Sequence, residues 1–120
     1  MTQAPESQHT FVSKKTFSHD SPWFSGHFPN NPILPGIAQL SVVLDTIQQA
    51  TTKKLQLKAF KRVKFKQLIN PNDKLEIKAV QNQKEPETYS FEIQVKGEIA
   101  CQGIMLLRNK SNTSIEGEKE

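Results

Sequence analysis

The sequence predicts an α+β domain in which one apolar helix lies against an antiparallel sheet. Three observations carry this. A single stretch, from Gly36 to about Thr51, has helical apolar periodicity; almost everything after it alternates with period two; and no second helix is available to cross between parallel strands.

Residues 9–18 (HTFVSKKTFS) alternate weakly and suit a first strand. Residues 19–36 hold Pro22, Pro29, Pro32 and Pro35 with Gly26 and Gly36, so neither a helix nor an inner strand fits there. The same segment carries Trp23, Phe24, Phe28, Ile33 and Leu34, which marks a stiff loop that packs down rather than a slack linker. From Gly36, Ile37, Leu40, Leu44 and Ile47 recur at helical spacing, widened by Ala38, Val42 and Val43, and the helix is expected to be wrapped by other elements. Leu55, Leu57, Ala59, Val63, Phe65 and Ile69 then share one side of an extended stretch, with Lys58, Phe60, Arg62, Lys64 and Lys66 on the other. Asn70-Pro71-Asn72-Asp73 is a turn by composition. Strands are expected around Leu75–Ala79, Tyr89–Val95 and Ile99–Leu107, with Gly97 in a turn. One domain over residues 9–108 is expected, between a flexible segment 1–8 and a disordered polar tail 109–120.

At 120 residues the chain supports one core, burying roughly two-thirds of its unfolded surface. The charge of +4 favours an acidic partner without choosing among nucleic acid, an anionic membrane or an acidic protein. Cys101 is the single cysteine, which rules out an internal disulfide and a cysteine-rich metal site. With three scattered histidines no metal or cofactor is expected. The first ten residues lack the apolar core of a signal peptide and no apolar run is long enough to span a membrane, so the cytoplasm is the expected location.

Chemistry concentrates in Trp23-Phe24-Ser25-Gly26-His27-Phe28-Pro29-Asn30-Asn31-Pro32-Ile33-Leu34-Pro35-Gly36. An imidazole titrates near neutrality and suits a general base. Prolines on both sides of Asn30-Asn31 stiffen the loop that carries His27. Pro35-Gly36 opens the helix, where unpaired N–H groups and the positive dipole end favour a developing oxyanion. Removal of water from a 3-hydroxyacyl thioester requires such a base for the C2 proton and such a donor for the enolate-like oxygen, together with an acid for the departing hydroxyl.

This loop resembles the active-site loop of the β-hydroxyacyl-acyl carrier protein dehydratases of the FabZ and FabA type: two aromatics, a small polar residue, Gly-His-Phe, then Pro-x-x-Pro-Ile-x-Pro-Gly. The likeness continues through Lys61–Lys66, the Asn70–Asp73 turn and Gly97-Glu98-Ile99-Ala100-Cys101, covering about residues 9–108. The run Pro-Ile-Leu-Pro-Gly-Ile-Ala-Gln-Leu looks closest to dehydratase-like proteins of aryl polyene pigment pathways. The resemblance implies a hotdog fold, with about five antiparallel strands wrapped around a central helix, and dimers that join two sheets with acyl tunnels between subunits. It implies that His27 is the base, that the Gly36 N–H binds the thioester oxygen, and that the Ile33 carbonyl orients the histidine. Phe28, Ile33, Pro35 and Ile37 are expected to contact substrate.

One position departs from the family, which places an Asp or Glu on the helix fourteen residues after the histidine; here that position is Ser41. A serine hydroxyl is a poor acid, although it can position a water. Asp45 shares a helix face with Ser41 and is the other candidate acid, but it lies a turn further on, about 5.4 Å away, and a structural hydrogen bond to the loop backbone is its expected role. Ser41 reads equally as a small space-filling residue, Trp23 and Phe24 as loop packing, Cys101 as a buried inert thiol, and His9 and His19 as surface residues. The stripe Lys58, Arg62, Lys64 and Lys66 reads either as a solvated outer face or as steering for an acidic acyl carrier protein bearing a phosphopantetheine arm. Nucleic acid fits less well, because Phe60 alone is available for base stacking. Three functions are compatible with these features: a hydro-lyase on 3-hydroxyacyl groups carried on acyl carrier protein; a non-catalytic hotdog subunit that binds acyl chains or completes a heterodimer with an acid-bearing paralogue; and an acyl thioesterase.

Overall fold

The computed structural model describes residues 9–24 and 33–109. Five strands, β1 (Thr10–Thr16), β2 (Leu55–Phe65), β3 (Lys74–Gln81), β4 (Thr88–Val95) and β5 (Glu98–Asn109), form one sheet in the order β1-β3-β4-β5-β2. Every neighbouring pair is antiparallel. One helix, α1 (Gly36–Thr51), packs on one face, mainly against β3 and β1. The predicted α+β class and helix limits match these elements.

Helix α1 follows its sequence pattern. Ala38, Leu40, Val42, Val43 and Ile47 are buried against the sheet, with Gln39 and Thr46 as the buried polar members. Thr52, at φ 54, ends the helix in the left-handed region, and the Gln48 side chain accepts the Leu55 N–H at 2.8 Å to turn the chain into β2. Ser13 of β1 is bonded to Thr46 at 2.7 Å, tying the edge strand to the helix. The helix is covered from one side: Ile37 is 62% exposed, Asp45 is exposed, and Ser41, Leu44 and Gln48 are half-buried. The expected wrapping is therefore one-sided among the described residues.

Between β4 and β5 the chain reverses through Lys96 (φ 56) and Gly97 (φ 80), two left-handed residues that match a twisted hairpin. The predicted Asn70–Asp73 turn closes with the Asn70 N–H donating to Asp73 Oδ2 at 2.8 Å, and Asn72 at φ 70 donates its N–H to the Phe17 carbonyl at 2.8 Å. Trp23 packs against the core and Phe24 is buried, within a single 3-10 turn at Pro22–Phe24. Both aromatics therefore serve loop packing.

The period-two reading of β2 needs correction. Its pairing with β5 slips twice, between Leu57 and Ala59 and between Lys61 and Lys64. Each bulge moves the residues after it to the opposite face. Phe60, predicted on the basic side, lies opposite buried Met105, and Ala59, predicted on the apolar side, lies opposite Leu106. At the second slip Arg62 takes φ 56, and Val63 packs over Gly103.

Candidate functional site at the mouth of the helix

Pro35, extended at φ −65 and ψ 155, delivers the chain into α1 and makes no side-chain cap. Its carbonyl takes both the Ala38 N–H (3.1 Å) and the Gln39 N–H (3.2 Å). The Gly36 and Ile37 amides donate to no described residue, and no acidic side chain stands in the first turn. Two adjacent N–H groups at the positive end of a helix therefore have no acceptor among the described residues.

The approach to that mouth is apolar. A Cβ built on Gly36 would lie 2.8 Å from Phe65 Cζ, so the Phe65 ring stands directly over the glycine. Phe65 is 52% exposed, Leu68 64% and Ile37 62%. Leu34 is held beside them by its N–H bond to the Ile69 carbonyl at 2.7 Å, and by its own carbonyl, which accepts from Gln39 Nε2 at 3.1 Å. Ile33 and Pro35 are half-buried along the same strap. Burial of Leu34 and Ile69, each 1% exposed, anchors the strap to the core.

Of the predicted site residues, the structure brings Ile33, Pro35, Gly36 and Ile37 together at this mouth, with Ser41 one helical turn beyond Ile37 on the same side. His27 and Phe28 lie outside the described residues. Asp45 is exposed and makes no hydrogen bond or ion pair among the described residues; it borders a shallow recess of about 230 Å³ with Ser13, Lys14, Lys15 and Gln49, on the β1 side. The expected loop-backbone bond of Asp45 is thus not made to any described residue. Phe65 and Leu68 escaped sequence reasoning: alternation placed Phe65 inside, and Leu68 carried no signal beyond its apolarity.

Lys58, Arg62, Lys64 and Lys66 are all exposed, but they do not form the single row that alternation implies. Lys58 sits at the first bulge and Arg62 at the second, Lys64 lies opposite Gln102, and Lys66 lies past the strand end with its N–H on the Ala100 carbonyl. Lys61, opposite Ile104, joins Arg62 beside a surface cleft of about 260 Å³. Cys101 is fully buried, and burial pushes its thiol up to about 11, as suits an inert packing residue. His9 is half-buried with its ring 3.3 Å from Gln81 Oε1, while His19 is exposed. Among the described residues no helix is long and apolar enough to cross a membrane.

Comparison with known proteins places this geometry. The family described as ApeI-like, ApeI dehydratase, matches residues 3–104. The 3-hydroxyacyl-[acyl-carrier-protein] dehydratase FabZ of Rickettsia rickettsii is 30% identical over 109 residues, spanning 82% of this chain and 75% of the relative. Among solved structures, the dehydratase heterocomplex ApeI:P from Xenorhabdus doucetiae superposes with a TM-score of 0.75 at 28% identity, over 83% of this chain and 88% of that one. The fluoroacetyl-CoA-specific thioesterase FlK superposes at 0.67 with 8% identity, over 92% and 93% of the two chains, a likeness of fold alone.

Proposed function

The chain belongs to the ApeI-like dehydratase family and is a dehydratase-like hotdog protein of the hydro-lyase class, and we propose that it dehydrates 3-hydroxyacyl groups held as thioesters on an acyl carrier protein. The observation that carries this reading is the pair of amides at Gly36 and Ile37, which have no acceptor among the described residues, under an apolar wall, in a chain that holds His27 nine residues upstream. A thioester carbonyl seated there meets two donors away from competing water. His27 takes the C2 proton, the Gly36 N–H holds the enolate-like oxygen, and the Ile33 carbonyl orients the imidazole. The C3–O bond then breaks, and the hydroxyl leaves as water on receiving the proton that His27 took, relayed through Ser41 and an ordered water with Asp45 one turn behind, so the imidazole returns to its neutral form. Phe28, Ile33, Pro35 and Ile37 line the path of the acyl group.

A homodimer completes the site in this reading. On the outward face of α1, among the described residues, Ile37 is exposed and Ser41 and Leu44 are half-buried, and β2 is a sheet edge open to pairing. The cations of the β2 bulges, Lys58, Arg62 and Lys64, with Lys66, flank Phe65 in sequence and suit an acidic carrier. Incubating the purified protein with 3-hydroxyacyl-carrier substrates is expected to yield the enoyl product. Equal activity in wild type and His27→Ala removes the proposed base.

Ser41 favours a second reading, in which the chain is one half of a heterodimer whose paralogue supplies the carboxylate. The Xenorhabdus doucetiae protein that superposes on this chain is a dehydratase heterocomplex, which supports that reading. Activity that arises only on mixing with a co-purifying acid-bearing partner favours it over the first. Release of free acid in place of enoyl product would instead mark a thioesterase.

A further inference from the structure

We infer that Gln39 is a positioning residue whose side-chain amide holds the Leu34 carbonyl, and through it aims the Gly36 and Ile37 amides at the thioester oxygen. The inference rests on the function proposed above and adds a residue to it.

Gln39 is 3% exposed, on the side of α1 that faces the sheet, among Ala38, Leu40, Val43 and Ile47. A primary amide in such surroundings is costly unless its donors and acceptor are all satisfied. Here they are not. Nε2 donates to the Leu34 carbonyl at 3.1 Å, while Oε1 is buried with no partner among the described residues. A methionine or leucine of similar volume would fill this position without the unpaired Oε1 but would leave the Leu34 carbonyl with no described donor, so packing gives no reason for a glutamine. The bond to Leu34 does.

The Leu34 carbonyl needs that donor because it lies just outside the helix: the first helical bonds, from the Ala38 and Gln39 N–H groups, both go to the Pro35 carbonyl, at 3.1 and 3.2 Å. No other described N–H reaches the Leu34 oxygen. Gln39 thus supplies, from its side chain, a donor that the helix backbone does not offer to Leu34. The other side of Leu34 is fixed by its N–H on Ile69, so the residue is clamped through both backbone polar groups. The Leu34–Pro35 peptide plane in turn sets where Pro35, at ψ 155, directs the Gly36 N–H. A small tilt of that plane would swing the two free amides away from a substrate oxygen.

Three readouts on the full chain test this. In Gln39→Met the melting temperature should stay within a few degrees of wild type, because the unpaired Oε1 is removed while the Leu34 carbonyl loses its donor. Amide exchange at Leu34 should quicken about fivefold, the factor corresponding to one hydrogen bond of ordinary net strength, while Phe91 and Ile93 in β4 stay as protected as before. In the dehydration assay kcat should fall by at least that factor with KM unchanged. Gln39→Glu supplies a second test, since a carboxylic acid donates to Leu34 only while protonated. Its Leu34 protection factor should match wild type at low pH and drop as pH rises through ionisation, a dependence wild type lacks. Unchanged Leu34 protection in Gln39→Met, or protection in Gln39→Glu that ignores pH, overturns the inference. Wild type without turnover would refute the proposed reaction but leave the exchange result to decide the role of Gln39.

Discussion

Phe65 roofs Gly36: a carbon added to the glycine would sit 2.8 Å from Cζ of the ring and 3.1 Å from Cε1. The helix mouth is therefore open only because residue 36 has no side chain, and only as wide as one aromatic ring allows. The ring is half exposed and belongs to a flexible side chain at the end of β2, so it can yield where backbone could not.

Gly36→Ala should accordingly fold with a stability loss of less than about 1 kcal/mol. The displaced ring and the new methyl both crowd the free amides, so turnover should fall about tenfold or more, by a misplacement of the order of an ångström. Pairing Gly36→Ala with Phe65→Ala should return part of the lost rate. Steady-state kinetics on the two single variants and the double variant check this; purely additive losses would show that the ring and the glycine act independently.

Gly103 should behave in the opposite way. A Cβ there would lie 2.9 Å from Val63 Cγ2, 3.0 Å from the Val63 Cα and 3.0 Å from Phe91 Cζ. The Val63 backbone cannot step aside without undoing the second bulge of β2. Gly103→Ala should cost about 1–3 kcal/mol, the usual penalty of overpacking. Urea denaturation should show a lowered midpoint, and a midpoint equal to wild type would mean that β2 gives way more easily than these contacts imply.

That contrast explains which elements could be read from the sequence and which could not. Helix α1 was legible because its apolar residues recur on one face over sixteen positions, and the burial of Ala38, Val43 and Ile47 follows that period. Strands β3 and β4 were legible for the same reason with period two: Leu75, Ile77 and Ala79 pair inside with Val95, Ile93 and Phe91. Strand β2 was not, because a bulge is a property of two strands and neither announces it alone. Parity was lost between the two bulges, so Phe60 and Ala59 were assigned to the wrong faces; Phe65, past the second bulge, is back opposite buried Cys101, yet at the strand end it is 52% exposed over Gly36. Gly36 and Pro35 were found by motif chemistry, whereas the bond from Gln39 to Leu34 depends on a core-facing side chain turning back along the chain, for which spacing gives no sign.

Cys101 gives a test of burial in β5. Its thiol is raised from 9.0 to about 11 by desolvation. In the native state it should resist iodoacetamide at pH 8 and react on unfolding, because the thiolate is the nucleophile. Between about pH 9 and 11 the unfolded chain gives up this proton and the folded one keeps it, so stability falls as pH rises through that window. The buried Tyr89 hydroxyl, also raised by desolvation, pulls the same way. A Cys101→Ala variant should lose stability less steeply over that window than wild type, as measured by urea midpoints at stepped pH.

Ser41 decides between the two readings of function. It lies one turn past Ile37 on the open side of α1, half-buried, with Asp45 a further turn away toward β1. A glutamate at residue 41 has room to extend along the uncovered face, so Ser41→Glu should change stability by less than about 1 kcal/mol. If the chain works as a homodimer, restoring a carboxyl group gives the departing hydroxyl a proton donor, and general acids of this kind contribute about 10²–10⁴ in rate. Enoyl formation by Ser41→Glu should then rise at least tenfold above wild type. If the acid belongs to a different subunit, the substitution alone should bring no gain, and wild type should gain activity only when that partner is added. Measured with equal protein and carrier-bound substrate, the two results cannot both occur, and either one fixes which subunit protonates the leaving group.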